Sequence, residues 1–231
     1  MTLDELCPPG TAVCAIVAHP DDESFCAGLI CELVDRGAPV TLVCATRGEG
    51  GDTGGHPREQ LGAVRSAELE AAAAALGVTA VRFVELVDPE PVDGLAQAPA
   101  VAEAMLAGLL DALLAELSPG LIVTHGSDGE YGHAAHLLLH RSVLAAAERM
   151  PVRPVIATMM AFDAEHPVPF FLNRSDAAGL VFDGAPSRAR RARSIAAHAS
   201  QVALFGDAAA YAASLDRQSY RIVQRGASAR H

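Results

Sequence analysis

Short unbroken apolar runs alternate along this chain with longer stretches in which apolar residues recur every three or four positions. The first run, TAVCAIVA at 11–18, is rich in β-branched side chains and reads as a strand covered on both faces. The stretch after it, ESFCAGLICELVDR at 23–36, sets Phe25, Cys26, Leu29, Ile30 and Leu33 at helical spacing, with Gly37 placed to end the helix. The alternation continues with a strand in VTLVCATR at 40–47, a helix over 58–76 closed by Gly77, and a strand in VRFVEL at 81–86. A helix over 99–117 leads through Ser118-Pro119-Gly120 into a fourth strand, LIVTH at 121–125, then a helix over 133–149 and a fifth strand, VIATMMAF at 155–162.

Buried-type strands alternating with helices predict an α/β fold: one Rossmann-like three-layer domain over residues 1–231, with a mostly parallel sheet and right-handed crossovers. Ligands of such sheets sit beyond the carboxyl ends of the strands. The turns at 19–23, 48–55 and 125–136 all follow strands, so they are expected to converge on that edge. The proline-bearing stretch DAEHPVPFFLNRS at 163–175 is weakly patterned and reads as an insert able to act as a lid. The last helix starts near Pro186 and carries a basic cluster, RARRARS, expected to be a solvated face.

Composition narrows the function classes. Hydrophobic residues are 51% and charged residues 19% of the chain, a globular balance. A net charge of -11 repels polyanions, which argues against a nucleic-acid partner. No apolar stretch reaches the roughly 18 residues a spanning helix needs, and the start MTLDEL lacks the basic, then apolar character of a signal peptide. A cytoplasmic protein without a membrane span is the expectation. The five cysteines form no C-x-x-C pair and lie mostly in apolar runs, so they read as buried thiols. Asn173-Arg174-Ser175 matches a glycosylation sequon, which means little without a secretion signal.

Two clusters carry candidate chemistry. In Ala18-His19-Pro20-Asp21-Asp22-Glu23, an imidazole and adjacent carboxylates follow the first strand, and Pro20 restricts the turn between them. Adjacent carboxylates repel, a cost that a divalent cation offsets, leaving the second acid ionised as a base. The plainer use of Asp21 to Glu23 is to cap the following helix. The second cluster is HGSDGEYGHAAHLLLH at 125–140, where His133 and His136 stand three positions apart at a helix start and His140 shares their face. Two such clusters at one sheet edge point to a metal site, and nitrogen with oxygen donors suits zinc with an open position.

These two motifs together resemble the LmbE/PIG-L family of zinc-dependent de-N-acetylases, most closely over residues 11–145, with a weaker echo in Ala197-His198-Ala199-Ser200-Gln201. The resemblance implies His19, Asp22 and His136 as ligands of zinc, with ferrous iron a second candidate. It implies Asp21 as general base, His133 as acid or electrostatic partner, Tyr131 as a group polarising the amide carbonyl, and Arg65 and Asp88 as substrate-binding residues. Thr46-Arg47-Gly48-Glu49 is similar to a family T-x-G-E pattern, and the Gly-rich 47–56 stretch, which lacks the order of a nucleotide cradle, reads as a mobile wall of the site. The chain departs from the family's usual G-H-P-D-H: Ala134 and Ala135 follow His133, leaving the charge state of that histidine open, with His125 and His140 as substitute ligands to consider.

The activity implied is hydrolysis of an N-acetylglucosaminyl-type substrate by metal-activated water, with Asp21 taking the water's proton and His133 protonating the amine. A small N-acetylated amino sugar is thus the expected partner; the sequence does not give the oligomeric state, although relatives often assemble and AAAYAASL offers an apolar segment for a homo-oligomer contact. Two rivals are an amidase acting on thiol conjugates and a catalytically weak ligand-binding or sensor protein, the latter suggested by Ala134-Ala135.

Overall fold

The computed structural model describes residues 2–224; residue 1 and residues 225–231, and with them the expected domain limits, lie outside the described residues. The elements in order are α1 (Leu3–Leu6), β1 (Val13–Val17), α2 (Ala27–Asp35), β2 (Val40–Thr46), α3 (Arg58–Leu76), β3 (Ala80–Leu86), α4 (Glu103–Leu117), β4 (Leu121–Thr124) and a single turn, α5 (Gly129–Gly132). They continue with α6 (Ala134–Arg149), β5 (Val155–Met159), β6 (Ala161–Phe162), β7 (Asn173–Ala177), β8 (Leu180–Asp183), α7 (Arg188–Ala197), α8 (Val202–Phe205), α9 (Ala208–Ser214) and β9 (Arg217–Gln224).

Seven strands form one sheet in the order β3-β2-β1-β4-β5-β9-β8. The first five are parallel and β9 runs antiparallel to both β5 and β8. Because successive strand residues face opposite ways, β1 feeds two cores. Val13, Ala15 and Val17 join Leu29, Leu33, Leu69 and Leu76 of α2 and α3. Cys14 and Ile16 join Leu106, Leu110 and Leu114 of α4 and Leu139 and Val143 of α6. The result is the expected α/β architecture with a mostly parallel sheet between helical layers. The chain leaves β1 toward β2 on one side and returns through β4 on the other, so the order reverses between β1 and β4, where open α/β sheets open a crevice.

Several local expectations change. Strand 155–162 is interrupted because Met160 takes φ 55, which ends β5 and starts β6. The stretch 163–175 is less a lid than a brace: it closes through β7, paired parallel with β6, and Phe171 packs its ring on Phe25 and Tyr131. In the basic cluster, Arg191 is not solvated but 1% exposed, donating to the carbonyls of Ala212 and Gly184 and pairing with Asp216. Asn173 of the sequon is fully buried, beyond the reach of a glycan. All five cysteines are free and buried, as expected. Among the described residues no helix is long and apolar enough to cross a membrane.

Candidate active site

The loop after β1 is built around Asp22. Its Oδ2 accepts the His19 backbone N–H at 2.8 Å and stands 3.2 Å from His19 Nδ1, while Oδ1 stands 3.3 Å from His136 Nε2. Asp22 therefore faces the two histidines; neither it nor Asp21 caps a helix in the plain manner, since Asp21 makes no side-chain capping bond. On the far side of the His19 ring, Nε2 lies 3.3 Å from Asp88 Oδ1. Burial opposes charge on His19, but the bonds to Asp22 and Asp88 outweigh it and hold its pKa up at about 9. A cation entering here displaces that proton.

Asp21 occupies strained backbone, φ 113, outside the regions favoured by residues with a Cβ. Two contacts hold it there: its N–H donates to Glu23 Oε2 at 2.9 Å, and Arg65 donates to its Oδ2 at 3.0 Å. Glu23 is in turn tied to His198 at 2.6 Å, both side chains fully buried, so the weak carboxyl-terminal echo in the sequence is a support of this loop. Burial raises the Asp21 carboxyl to about 6 against the lowering effect of Arg65, and Asp22 adds to the rise. A carboxylate poised there suits proton transfer near neutrality.

The loop after β4 carries His125, Glu130, Tyr131, His133 and His136. His136 Nδ1 donates to Glu130 Oε2 at 2.6 Å, which leaves Nε2 as its lone-pair nitrogen, directed toward Asp22. That Nε2 is buried and makes no hydrogen bond of regular geometry, with Asp22 Oδ1 3.3 Å away. His133 opens α6 as its N-cap, its Nδ1 accepting the Ala135 backbone N–H at 3.3 Å. The neutral ring then carries its proton on Nε2. Burial pushes its pKa down to about 3, aided by His136 and His19, and no carboxylate is hydrogen-bonded to it.

An unsatisfied, buried imidazole nitrogen beside a carboxylate and a second imidazole fits a divalent cation. One atom from each of His19, His133 and His136 lies within 4.8 Å of the others, and so does one from each of Asp22, His125 and His136. His125 is not available as a ligand, since its Nε2 accepts the Ala18 N–H at 3.0 Å and its Nδ1 faces Glu130 at 2.9 Å. His140 is likewise committed, with Nδ1 bonded to the His125 carbonyl at 2.9 Å. His133 has the least buried ring of the cluster and caps its helix. Asp22 stands 3.2 Å from His19 Nδ1 and 3.3 Å from His136 Nε2, so an oxygen lies beside each of two imidazole nitrogens, donor types that suit zinc or ferrous iron.

A cavity of about 190 Å³ opens above these groups, lined by His19, Asp21, Asp22, Asp88, Tyr131 and His133 together with Gly50, Asp52, Gln97, Gln201 and Leu204. Tyr131 is half-exposed at its rim, and burial of its hydroxyl with the nearby Asp22 and Asp21 charges raises its pKa far enough to keep the phenol protonated. Arg65 lines the same cavity. It is 3% exposed and also donates to the carbonyls of Pro20 and Gly48, on the loops that shape the site. The Gly-rich wall is anchored at two points: Arg58 donates to the carbonyls of Glu49 and Gly51, and a Cβ on Gly50 would come within 2.1 Å of the Pro89 carbonyl. Glu130, Asp52 and Gln97 escaped the sequence reading, Asn173 was seen there only as part of a sequon, and Gln201 only as part of the carboxyl-terminal echo. For Glu130 a signal existed, an acid enclosed between His125 and His133 in one glycine-rich turn.

The family described as PIG-L, GlcNAc-PI de-N-acetylase, matches residues 14–147. The chain is 42% identical over 151 residues to 1D-myo-inositol 2-acetamido-2-deoxy-alpha-D-glucopyranoside deacetylase of Mycobacterium sp. (strain KMS), an alignment covering 57% of this chain and 48% of that protein. It is 34% identical over 232 residues to the enzyme of the same name from Nakamurella multipartita, covering 82% of this chain and 79% of that one. The chain thus spans about half the length of several curated relatives it matches. In fold it is similar to N,N'-diacetylchitobiose deacetylase from Pyrococcus horikoshii, with a TM-score of 0.69 at 18% identity over 96% of this chain and 87% of that chain. It is equally similar to GalB, the 4-carboxy-2-hydroxymuconate hydratase from Pseudomonas putida, with a TM-score of 0.70 at 16% identity over 96% and 99% of the two chains, so the fold alone does not choose the reaction. On the family match and the Nakamurella relative, this chain belongs to the PIG-L, LmbE-like, family of de-N-acetylases.

Proposed function

We propose that the chain acts as one catalytic unit, a metal-dependent hydrolase that removes the N-acetyl group from an N-acetylglucosaminyl-type substrate. The observation that carries this reading is the buried His136 Nε2 without a partner, set against Asp22, which with His19 and Asp21 lines the cavity. Zinc or ferrous iron held by His19, Asp22 and His136 supplies Lewis acidity, polarising the amide carbonyl and lowering the pKa of water. The remaining work belongs to the chain. Asp21 takes a proton from the water that attacks the acyl carbon, and Arg65 steadies the carboxylate while it does so. His133 donates its Nε2–H to the carbonyl oxygen as negative charge grows there, and the Tyr131 phenol adds a second donor from the rim. As the carbon–nitrogen bond breaks, Asp21 returns its proton to the departing amine and acetate is released.

This assigns His133 the electrostatic half of the role expected of it, because a neutral ring with its Nδ1 on a backbone N–H has no second proton to give. Asp52, Asp88, Gln97 and Gln201 supply the hydroxyl-binding polar wall that an amino sugar requires. The substrate named for the mycobacterial and Nakamurella relatives, N-acetylglucosaminyl-inositol, is the first to test. Acetate release from it is expected with zinc restored to chelator-treated protein, and absent with chelator. A protein that takes up no metal, or takes it up fully without releasing acetate from a panel of N-acetylglucosaminides, contradicts the reading, and the second result favours the ligand-binding alternative.

A further inference from the structure

Glu130 is 3% exposed and sits in backbone that a residue with a Cβ rarely adopts, φ 60 and ψ -75, following Gly129 at φ 61. Its carboxylate is saturated by four donors. Oε2 receives Nδ1–H from His136 at 2.6 Å and from His125 at 2.9 Å, while Oε1 receives the Gly126 N–H at 3.0 Å and the Asn173 amide at 3.2 Å. Asn173, from β7, clamps the turn from the other side: its Oδ1 accepts the N–H groups of Asp128 and Glu130, and its amide also reaches the carbonyls of Met159 and Met160. A side chain on Gly126 would collide with Asn173 at 2.1 Å, so the glycine makes room for the clamp.

A fully desolvated carboxylate in strained backbone persists only where its surroundings over-determine it, and such strain gathers at functional sites. The helix-start geometry does not require it, since His133 caps α6. What Glu130 does touch is a stack of two imidazoles, His125 and His136, with centroids 3.8 Å apart and planes 22° from parallel. Of these only His136 has a free ring nitrogen, because Ala18 occupies His125 Nε2. We infer that Glu130 is the positioning residue of the metal centre, fixing the tautomer and plane of His136 so that its Nε2 lone pair meets the ion, with Asn173 holding the carboxylate and His125 stacked behind as a spacer. The inference rests on the proposed metal site and adds to it a carboxylate outside the ligand set. Carboxylate–imidazole–metal relays of this kind raise ligand basicity and remove rotational freedom from the ring.

The test compares full-length wild type with Glu130→Gln and Glu130→Ala. Zinc affinity is read by competition with a chromophoric chelator, His136 geometry by the visible spectrum of the cobalt-loaded protein, and the fold by circular dichroism. Removing the carboxylate is expected to weaken zinc binding by about 10- to 100-fold, with Glu130→Gln the milder of the two and an altered cobalt spectrum in both. Activity lost at limiting zinc is expected to return in large part at saturating zinc, which a merely misfolded variant would not do. Should Glu130→Ala not fold, the isosteric Glu130→Gln carries the test. Variants that bind zinc as wild type does, with the parent cobalt spectrum, overturn the assignment of Glu130 alone; a wild type that binds no zinc overturns the metal reading and this inference with it.

Discussion

The two loops that meet at the sheet edge each present an imidazole backed by a carboxylate, yet they are supported in different ways. The loop after β1 sets His19 against Asp88, whose carboxylate also lines the cavity. The loop after β4 sets His136 against Glu130, whose side chain is sealed from solvent together with that of His136. The first loop is held from a distance, by Arg65 of α3 and by His198 acting through Glu23; the second is held by its own acid and by Asn173. The wet side is where substrate and proton transfer belong, and the dry side is where rigid orientation is cheapest to maintain.

The largest effect expected from breaking this contrast is on the wet side. Asp21→Asn removes the proposed general base beside the ligand set, and should lower kcat by about 10² to 10⁴ while zinc content stays at wild-type level. Steady-state kinetics alongside metal analysis decides it, and unchanged turnover would remove Asp21 from the mechanism. Next comes the pH profile. Asp21 must be ionised to accept a proton, and burial raises its pKa to about 6, so kcat/KM should fall on the acid side, about tenfold per unit. A bound dication beside it lowers that value, which places the limb at or below pH 6; an acid limb above pH 7 contradicts the assignment.

Asp88→Asn sharpens the comparison between loops. Because Asp88 faces both His19 and the cavity, its loss should raise KM and weaken zinc binding by about tenfold or less, at the lower end of what such partners contribute and below the loss expected of Glu130→Ala. Equal effects from the two acids would erase the distinction between wet and dry supports.

Much of this was legible in the chain. The central parallel strands β1, β2, β4 and β5 read clearly because they are largely apolar and buried, and the ligand candidates because they stand in contiguous motifs at strand ends. The antiparallel edge did not read, because β9, with the sequence RQSYRIVQ, mixes polar and apolar residues and takes its place only by pairing with β5 and β8. The supports of the site were hidden for a related reason. Asn173 lies 43 residues from Glu130, and His198 lies 175 from Glu23, separations that no local pattern records. Arg65 was visible as a residue, but only the folded chain shows it lining the cavity while donating to Gly48, Pro20 and Asp21.

The account depends on a single ion between the two loops. Crystals of the zinc-loaded protein, measured on either side of the zinc absorption edge, test it most directly. The account predicts one anomalous peak per chain about 2.0–2.2 Å from an imidazole nitrogen of His19, from Nε2 of His136 and from an Asp22 oxygen, with Glu130 still bonded to His136. A peak held by His125 or by residues outside this cluster, or no peak at this edge of the sheet, would contradict it.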